Sequence, residues 1–191
     1  MAELKIVGLG GSLAEKSSSL AALRIALEGA ASNGAPTELL DIRELDLPMY
    51  VPDLPEAVRR FNDTIYEADG LIWSSPLYHG TVSGAFKNAL DWLNPLGRRE
   101  PAYLTHKVIG LISVAGGTQG LQAVNTMEFC VRALRGWAVP LVLPIPRARR
   151  VFDEAGKLLD EDVRRELLAL GREVARAAGQ VVHVMTCDYA E

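Results

Sequence analysis

Leu4-Lys5-Ile6-Val7-Gly8-Leu9-Gly10-Gly11-Ser12-Leu13-Ala14-Glu15-Lys16-Ser17-Ser18-Ser19-Leu20 is the stretch whose reading decides the fold. Its apolar run, Leu4 to Leu9, stops at glycines, crosses Ser12, Ser17, Ser18 and Ser19, and enters a helical pattern. Gly10 and Gly11 let the backbone turn tightly and approach a ligand closely. The four hydroxyls and the unpaired N–H groups at a helix start are donors for phosphate oxygens. No lysine stands where a P-loop needs one, which argues against a nucleoside triphosphate. The stretch reads as a strand–loop–helix cradle for one phosphate monoester. Two rival readings stand beside it. Gly8 and Gly10 begin a dinucleotide fingerprint whose third glycine is replaced by Leu13, with Asp41 as a candidate ribose ligand. The blander alternative is a serine-rich loop that only caps a helix.

Working outward, strand-like and helix-like patterns alternate to the end of the chain. The expected strands are residues 4–9, 37–42, 71–75, 108–114 and 139–143. The expected helices run over residues 19–31, 55–68, 83–93, 119–135 and 160–182. Residues 108–114 are almost wholly apolar, as a strand covered on both faces should be. Pro140 assigns the last strand to an edge, and the prolines at 48 and 52 make residues 46–52 an ordered loop. Five β–α repeats predict a single-domain α/β three-layer sandwich. The edge position of Pro140 suits a five-stranded parallel sheet in the flavodoxin-like order 2-1-3-4-5. Ligands in such a sheet bind where the strand order reverses, at the carboxyl ends of strands one and three.

Composition narrows the function classes. The 191 residues are 49% hydrophobic, enough for one full core. A net charge of -4 gives no electrostatic case for nucleic acid or an anionic membrane surface. No apolar run approaches the ~20 residues of a membrane span, so a soluble cytoplasmic protein is expected. Cys130 and Cys187 form no CxxC, and three scattered histidines suggest no metal site.

The loops after strands one, three and four should meet at the switch point, and each is unusual. After strand three, Pro76 fixes its own φ, Gly80 permits a reversal, and Leu77 and Tyr78 offer an apolar wall. After strand four, Ala115-Gly116-Gly117 brings peptide groups close to a flat ring without intervening side chains. A phosphate cradle beside two peptide-rich loops describes a site for a phosphorylated planar heterocycle, and FMN meets that description.

The combination Gly11-Ser12, Ser17-Ser18-Ser19, Pro76-x-Tyr78, Ser83-Gly84-x-x-Lys87-Asn88-x-x-Asp91-Trp92 and Gly116-Gly117 resembles the NAD(P)H-dependent FMN reductases. It is similar both to the general family of quinone, azo-dye and chromate reductases and to the reductases that serve two-component sulfonate monooxygenases. The resemblance spans about residues 4 to 143. It implies that Ser12, Ser17 and Ser19, with Ser18 between them, hold the FMN phosphate. The backbone from Pro76 through Leu77, Tyr78, His79 and Gly80 would line the ring, and Ala115, Gly116 and Gly117 would meet its pyrimidine edge. It also implies NADPH or NADH as hydride donor, small-molecule acceptors, a homodimer or homotetramer, and a flavin-dependent monooxygenase as one class of partner. Ala14 stands where many members carry an arginine, and Leu77 where an acidic residue is usual. Loss of a guanidinium weakens the phosphate or nicotinamide side of such a site.

Other residues carry two readings. Lys87, Asn88, Asp91 and Trp92 match the family motif, but Lys87 and Asn88 are expected as a solvated helix pair, and Asp91 and Trp92 as packing that helix on the sheet. His79 either influences protonation beside the ring or is simply exposed. Arg147, Arg149 and Arg150 either attract a nucleotide phosphate or form a solvated basic loop, and Arg98 and Arg99 share that choice. No side chain is expected as nucleophile or base. The function expected is hydride transfer from NAD(P)H to FMN and onward to a flavin, quinone or similar acceptor. A flavodoxin-type electron carrier without nicotinamide activity is the alternative.

Overall fold

The computed structural model describes residues 4–53 and 55–188. The side chain of Cys187 lies outside the described residues. The strands are β1 (Ile6–Gly10), β2 (Thr37–Asp41), β3 (Gly70–Tyr78), β4 (Thr81–Val82), β5 (Val108–Val114) and β6 (Trp137–Ile145). The helices are α1 (Ser18–Ala31), α2 (Ile42–Leu45), α3 (Glu56–Glu67), α4 (Gly84–Asp91), α5 (Gly120–Ala133), α6 (Ala148–Val151) and α7 (Glu161–Asp188).

The sheet order is β2-β1-β3-β5-β6, all parallel, with β4 attached antiparallel to the tip of β3. The five expected parallel strands therefore take the expected order, and a sixth, two-residue strand corrects the count. That strand exists because His79 and Gly80, at φ 49° and 85°, form a two-residue reversal that pairs Leu77 with Val82 and Tyr78 with Thr81. Turns with positive φ at both central residues match the twist of a hairpin. Gly80 marks the reversal in the sequence, while the pairing of its flanking residues, expected as loop, appears only in the fold.

Two prolines lie inside strands. Pro76 pairs in register with Val114, but β1 ends at Gly10 opposite Ser74, so this part of β3 has lost one neighbour. Pro140 sits on the edge strand, where the register shifts between Ile109↔Ala138 and Leu111↔Val142. A residue that cannot donate to the ladder belongs at such an irregular edge. Residue 42 leaves the expected second strand because the Asp41 carboxylate accepts from Arg43 N at 3.0 Å and caps α2.

Both faces of the sheet are covered. Val7, Leu9, Trp73, Ile109 and Leu111 pack under α3, α4 and α5, with Trp73 and Phe86 edge-to-face at 5.7 Å. Ile6, Ile72, Val108 and Ile112 pack under α1 and α7. The expected stripe of the last helix is seated, with Leu167, Leu170, Val174 and Ala178 fully buried.

The approach of α1 to α7 is set by small residues that the apolar pattern did not single out. A Cβ on Gly171 would lie 1.8 Å from Ala26 O, and one on Gly29 would lie 2.3 Å from Leu168 O. Exchanging Gly for Ala inside a helix ordinarily stabilises by up to about 1 kcal/mol. Gly171→Ala is expected to reverse that sign, because its methyl meets backbone and forces the helices apart, at a cost of about 1–3 kcal/mol. Urea unfolding of the two proteins checks both sign and size.

Candidate functional site

A chain of hydrogen bonds fixes the carboxyl ends of β1 and β3. Gly11 N donates to Ser74 O at 2.8 Å, and Ser74 Oγ donates to Ser19 O at 2.8 Å. Ser83 Oγ donates to Gly11 O while accepting from Phe86 N at 3.0 Å, and Ser83 N donates to Ser75 Oγ at 3.0 Å. The residues carrying these groups, Ser19, Ser74, Ser75 and Ser83, are buried. The loop after β1, the start of α1, the tip of β3 and the start of α4 are thereby held together.

Beside this network lies a cavity of about 190 Å³ lined by Ser12, Ser17, Ser18, Ser19, Pro76, Leu77, Tyr78 and Gly116, together with Ala14, Lys16, Val114 and Ala148. The first eight are candidates from the sequence, drawn from all three expected loops. The other four candidates stand around the cavity rather than among its lining residues. His79 and Gly80 form the hairpin turn next to Tyr78. Ala115 is buried, donating its N–H to Ile145 O at 2.9 Å and accepting from Ala148 N at 2.9 Å. Gly117 O accepts from Arg147 N at 2.8 Å. Val114 and Ala148 are lining residues that the sequence reading did not propose. Ala148 follows β6, outside the loops after strands one, three and four that the switch-point rule selects.

The local chemistry suits an anion. Ser17 Oγ caps α1 by accepting from Leu20 N at 3.1 Å, and Ser12 Oγ accepts from Ala14 N at 3.2 Å. Ser17 and Ser19 share one hydroxyl–hydroxyl contact of 3.0 Å. A hydroxyl that accepts from an amide keeps its own proton to donate. The amides of Ser18 and Ser19, in the first turn, have no partner inside the helix. Lys16 supplies a cation at the position next but one to Ala14. A Cβ built on Gly116 or Gly117 meets no atom within 4 Å, so the glycine loop faces open space. Hydroxyl donors, helix-start amides and a side-chain-free loop fit the phosphate and flat ring of FMN.

The titratable groups clearly displaced from their ordinary pKa values lie elsewhere. Burial pushes the Lys107 ammonium down, partly offset by Asp69, while its Nζ donates to Tyr66 O and Ala68 O, both at 2.6 Å, closing the end of α3. Burial pushes the Cys130 thiol up, partly offset by Lys87, which leaves it a poor nucleophile.

The motif residues of α4 are supports, and Asn88, expected to be solvated beside Lys87, is instead buried. Asn88 Oδ1 accepts from Tyr50 N at 2.8 Å, and Asn88 Nδ2 and Trp92 Nε1 donate to Pro48 O at 2.9 and 2.7 Å. Lys87 pairs with Asp91 one turn on, at the surface. Arg99 is likewise structural, pairing with Asp63 and lying 4.5 Å from the Tyr66 ring.

Residues 4–149 match the family model of the NADPH-dependent FMN reductases. The chain belongs to this family. Membership carries NAD(P)H-dependent flavin reduction as the reaction class and FMN as its cofactor. The chain is 30% identical over 184 residues to the NAD(P)H-dependent FMN reductase PA1204 of Pseudomonas aeruginosa, covering 93% of this chain and 98% of the relative. It is 32% identical over 154 residues to an NADPH azoreductase of a Bacillus species, covering 74% and 83%. It is 32% identical over 125 residues to the FMN reductase ArsH of Acidithiobacillus ferrooxidans, covering 65% of this chain and about half, 52%, of that longer relative. The flavoenzyme FerB of Paracoccus denitrificans shares the fold, with a TM-score of 0.73 at 22% identity over 93% of this chain and 98% of that one. No helix among the described residues is long and apolar enough to cross a membrane.

Ser83 both caps α4 and holds the loop after β1. Ser83→Ala is expected to lower stability by about 1.5–3 kcal/mol, the sum of a lost cap and a lost buried hydrogen bond. Chemical denaturation measures the loss, and limited proteolysis should find earlier cleavage within residues 11–17.

Proposed function

We propose that this protein holds FMN in the cavity between the β1–α1 loop, the tip of β3 and the β5–α5 loop, and uses it to pass electrons from NAD(P)H to a flavin, quinone or similar small acceptor. The observation that carries this reading is the meeting of eight sequence-derived candidates around one cavity beside an open glycine loop. The chemistry that FMN supplies when bound is two-electron redox, with a hydride from NAD(P)H in and electrons out. The chain's own residues bind and orient. Ser12, Ser17, Ser18 and Ser19 donate to the phosphate, with Lys16 adding charge. Pro76, Leu77 and Tyr78 flank the ring, and Gly116-Gly117 gives it room. His79, Gly80 and Ala115 hold the backbone of those loops in place.

The test is an FMN titration followed by absorbance, with anaerobic NADPH added at the end. Wild type is expected to bind FMN and bleach it on adding NADPH, and to bind riboflavin far more weakly because the cradle contacts are lost. Gly116→Val is expected to keep its stability, since its side chain enters open space, and to lose FMN affinity at least tenfold, about 1.4 kcal/mol. Equal affinity for FMN and riboflavin would overturn the cradle.

The cavity is small beside the ~300–1,000 Å³ of pockets that enclose a whole ligand. Tyr78, 53% exposed, is left partly uncovered at its edge. Met49, 78% exposed, and Val51 stand on a loop pinned to α4 by Asn88 and Trp92. Rigidly presented apolar residues suit a contact. The proposal includes a homodimer or homotetramer with the flavin near a subunit boundary, located in the cytoplasm. A flavin-dependent monooxygenase is the partner class if reduced flavin is released. Light scattering at micromolar concentration is expected to give a multiple of 20.7 kDa. A mass of one chain would remove the assembly from the reading.

A further inference from the structure

A second cavity, of about 660 Å³, adjoins the first through two shared residues, Ser18 and Ala148. It is lined further by Arg149, Phe152, Asp153, Glu154 and Leu159. The turn that carries Arg149 is fastened to the glycine loop of the first cavity. Arg147 N donates to Gly117 O at 2.8 Å and Ala148 N to Ala115 O at 2.9 Å, while Arg150 N closes the turn on Arg147 O at 2.8 Å. Arg147 is held at φ 53°, a left-handed conformation that non-glycine residues seldom adopt and that tends to mark functional sites.

The side chains of Arg147, Arg149 and Arg150 are exposed, and among the described residues none of them has an ion-pair partner. Elsewhere on the molecule, Arg99, Arg164, Arg165 and Arg176 are paired with carboxylates. The acidic groups of the second cavity are Asp153 and Glu154. Asp153 Oδ1 accepts from Ala155 N and Lys157 N at 2.9 and 2.8 Å, which commits part of that carboxylate to its own turn. Leu159, 58% exposed and tied to Val151 O by its N–H at 2.8 Å, offers an apolar wall on the same cavity. The unpaired Arg149 guanidinium beside an exposed apolar side chain suits a phosphorylated ribose carrying a flat base. Guanidinium matches phosphate geometry better than any other side chain.

Resting on the proposed function, we infer that this second cavity receives the adenosine 2′-phosphate of the nicotinamide nucleotide, with Arg149 as the residue that separates NADPH from NADH. A donor with its nicotinamide at the open glycine loop would run past the phosphate cradle at Ser18. Its adenosine end would then reach the arginine turn. An arginine near the ribose accommodates a 2′-phosphate, which NADH lacks.

The experiment compares steady-state NADPH and NADH oxidation by the FMN-loaded wild type, Arg149→Ala and Arg149→Lys, with 2′,5′-ADP and 5′-AMP as inhibitors. Wild type is expected to favour NADPH at least tenfold in kcat/KM and to be inhibited more strongly by 2′,5′-ADP than by 5′-AMP. Arg149→Ala should lower the NADPH:NADH ratio at least tenfold, chiefly through the KM for NADPH, and remove the advantage of 2′,5′-ADP. Arg149→Lys should recover part of both. An unaltered ratio in Arg149→Ala overturns the assignment. Equal losses with both donors also overturn it, by placing Arg149 on the pyrophosphate that the two share. Failure of wild type to oxidise either donor, with FMN bound, would instead overturn the functional reading beneath it.

Discussion

The site depends on one run of buried hydrogen bonds, from Ser83 to Gly11, from Gly11 to Ser74, and from Ser74 to Ser19. Each link joins a segment to one remote in sequence, so the run extends the β1–β3 pairing to the starts of α1 and α4, which share no ladder with it. A buried polar group without a partner costs about 1–3 kcal/mol. These serines therefore select the one arrangement of the strand tips that satisfies them all. The hydroxyls of Ser12, Ser17, Ser18 and Ser19 line the cavity instead, where Ser17 also caps α1 and Ser12 accepts from Ala14 N. Similar side chains thus do two jobs, divided by the segment that carries them: Ser74 and Ser83 bond remote backbone, and the serines before and at the start of α1 line the cavity.

The glycine loop and the arginine turn form a second coupled unit. Ala115 is tied to Ile145 and Ala148, and Gly117 to Arg147, so the loops after β5 and β6 take up their positions together. On the other side of the sheet, Asn88 and Trp92 brace the residue 46–52 loop through Pro48 and Tyr50. The family motif on α4 is in this chain mainly a brace. A buried amide able to donate and accept at once suits that role, because it can satisfy two backbone groups of one loop.

Much of this was legible in the residues themselves. The apolar run of β5, the proline of β6 and the periodicity of α7 predicted an inner strand, an edge strand and a sheet-facing helix, and each takes that place. Local patterns succeed there because burial on both faces, or on one, dictates composition directly. Eight of the candidate site residues meet at the cavity because the switch-point rule converts strand order into location. The strand order itself rested on Pro140. The β4 hairpin escaped because His79 occupies a left-handed position that residue type alone does not announce.

By itself, the sequence determined the alternation of elements, the parallel sheet, the serine-rich loop and the glycine loop, all of which depend on residue type and short-range spacing. Only the tertiary structure decided how closely α1 meets α7, which serine hydroxyls bond remote backbone and which line the cavity, and that Ala148 joins the cavity. It also decided that Arg149, after β6, lines the cavity adjoining that one. These outcomes depend on contacts between segments far apart in sequence, where the distance is set by packing and by the need to satisfy buried polar groups.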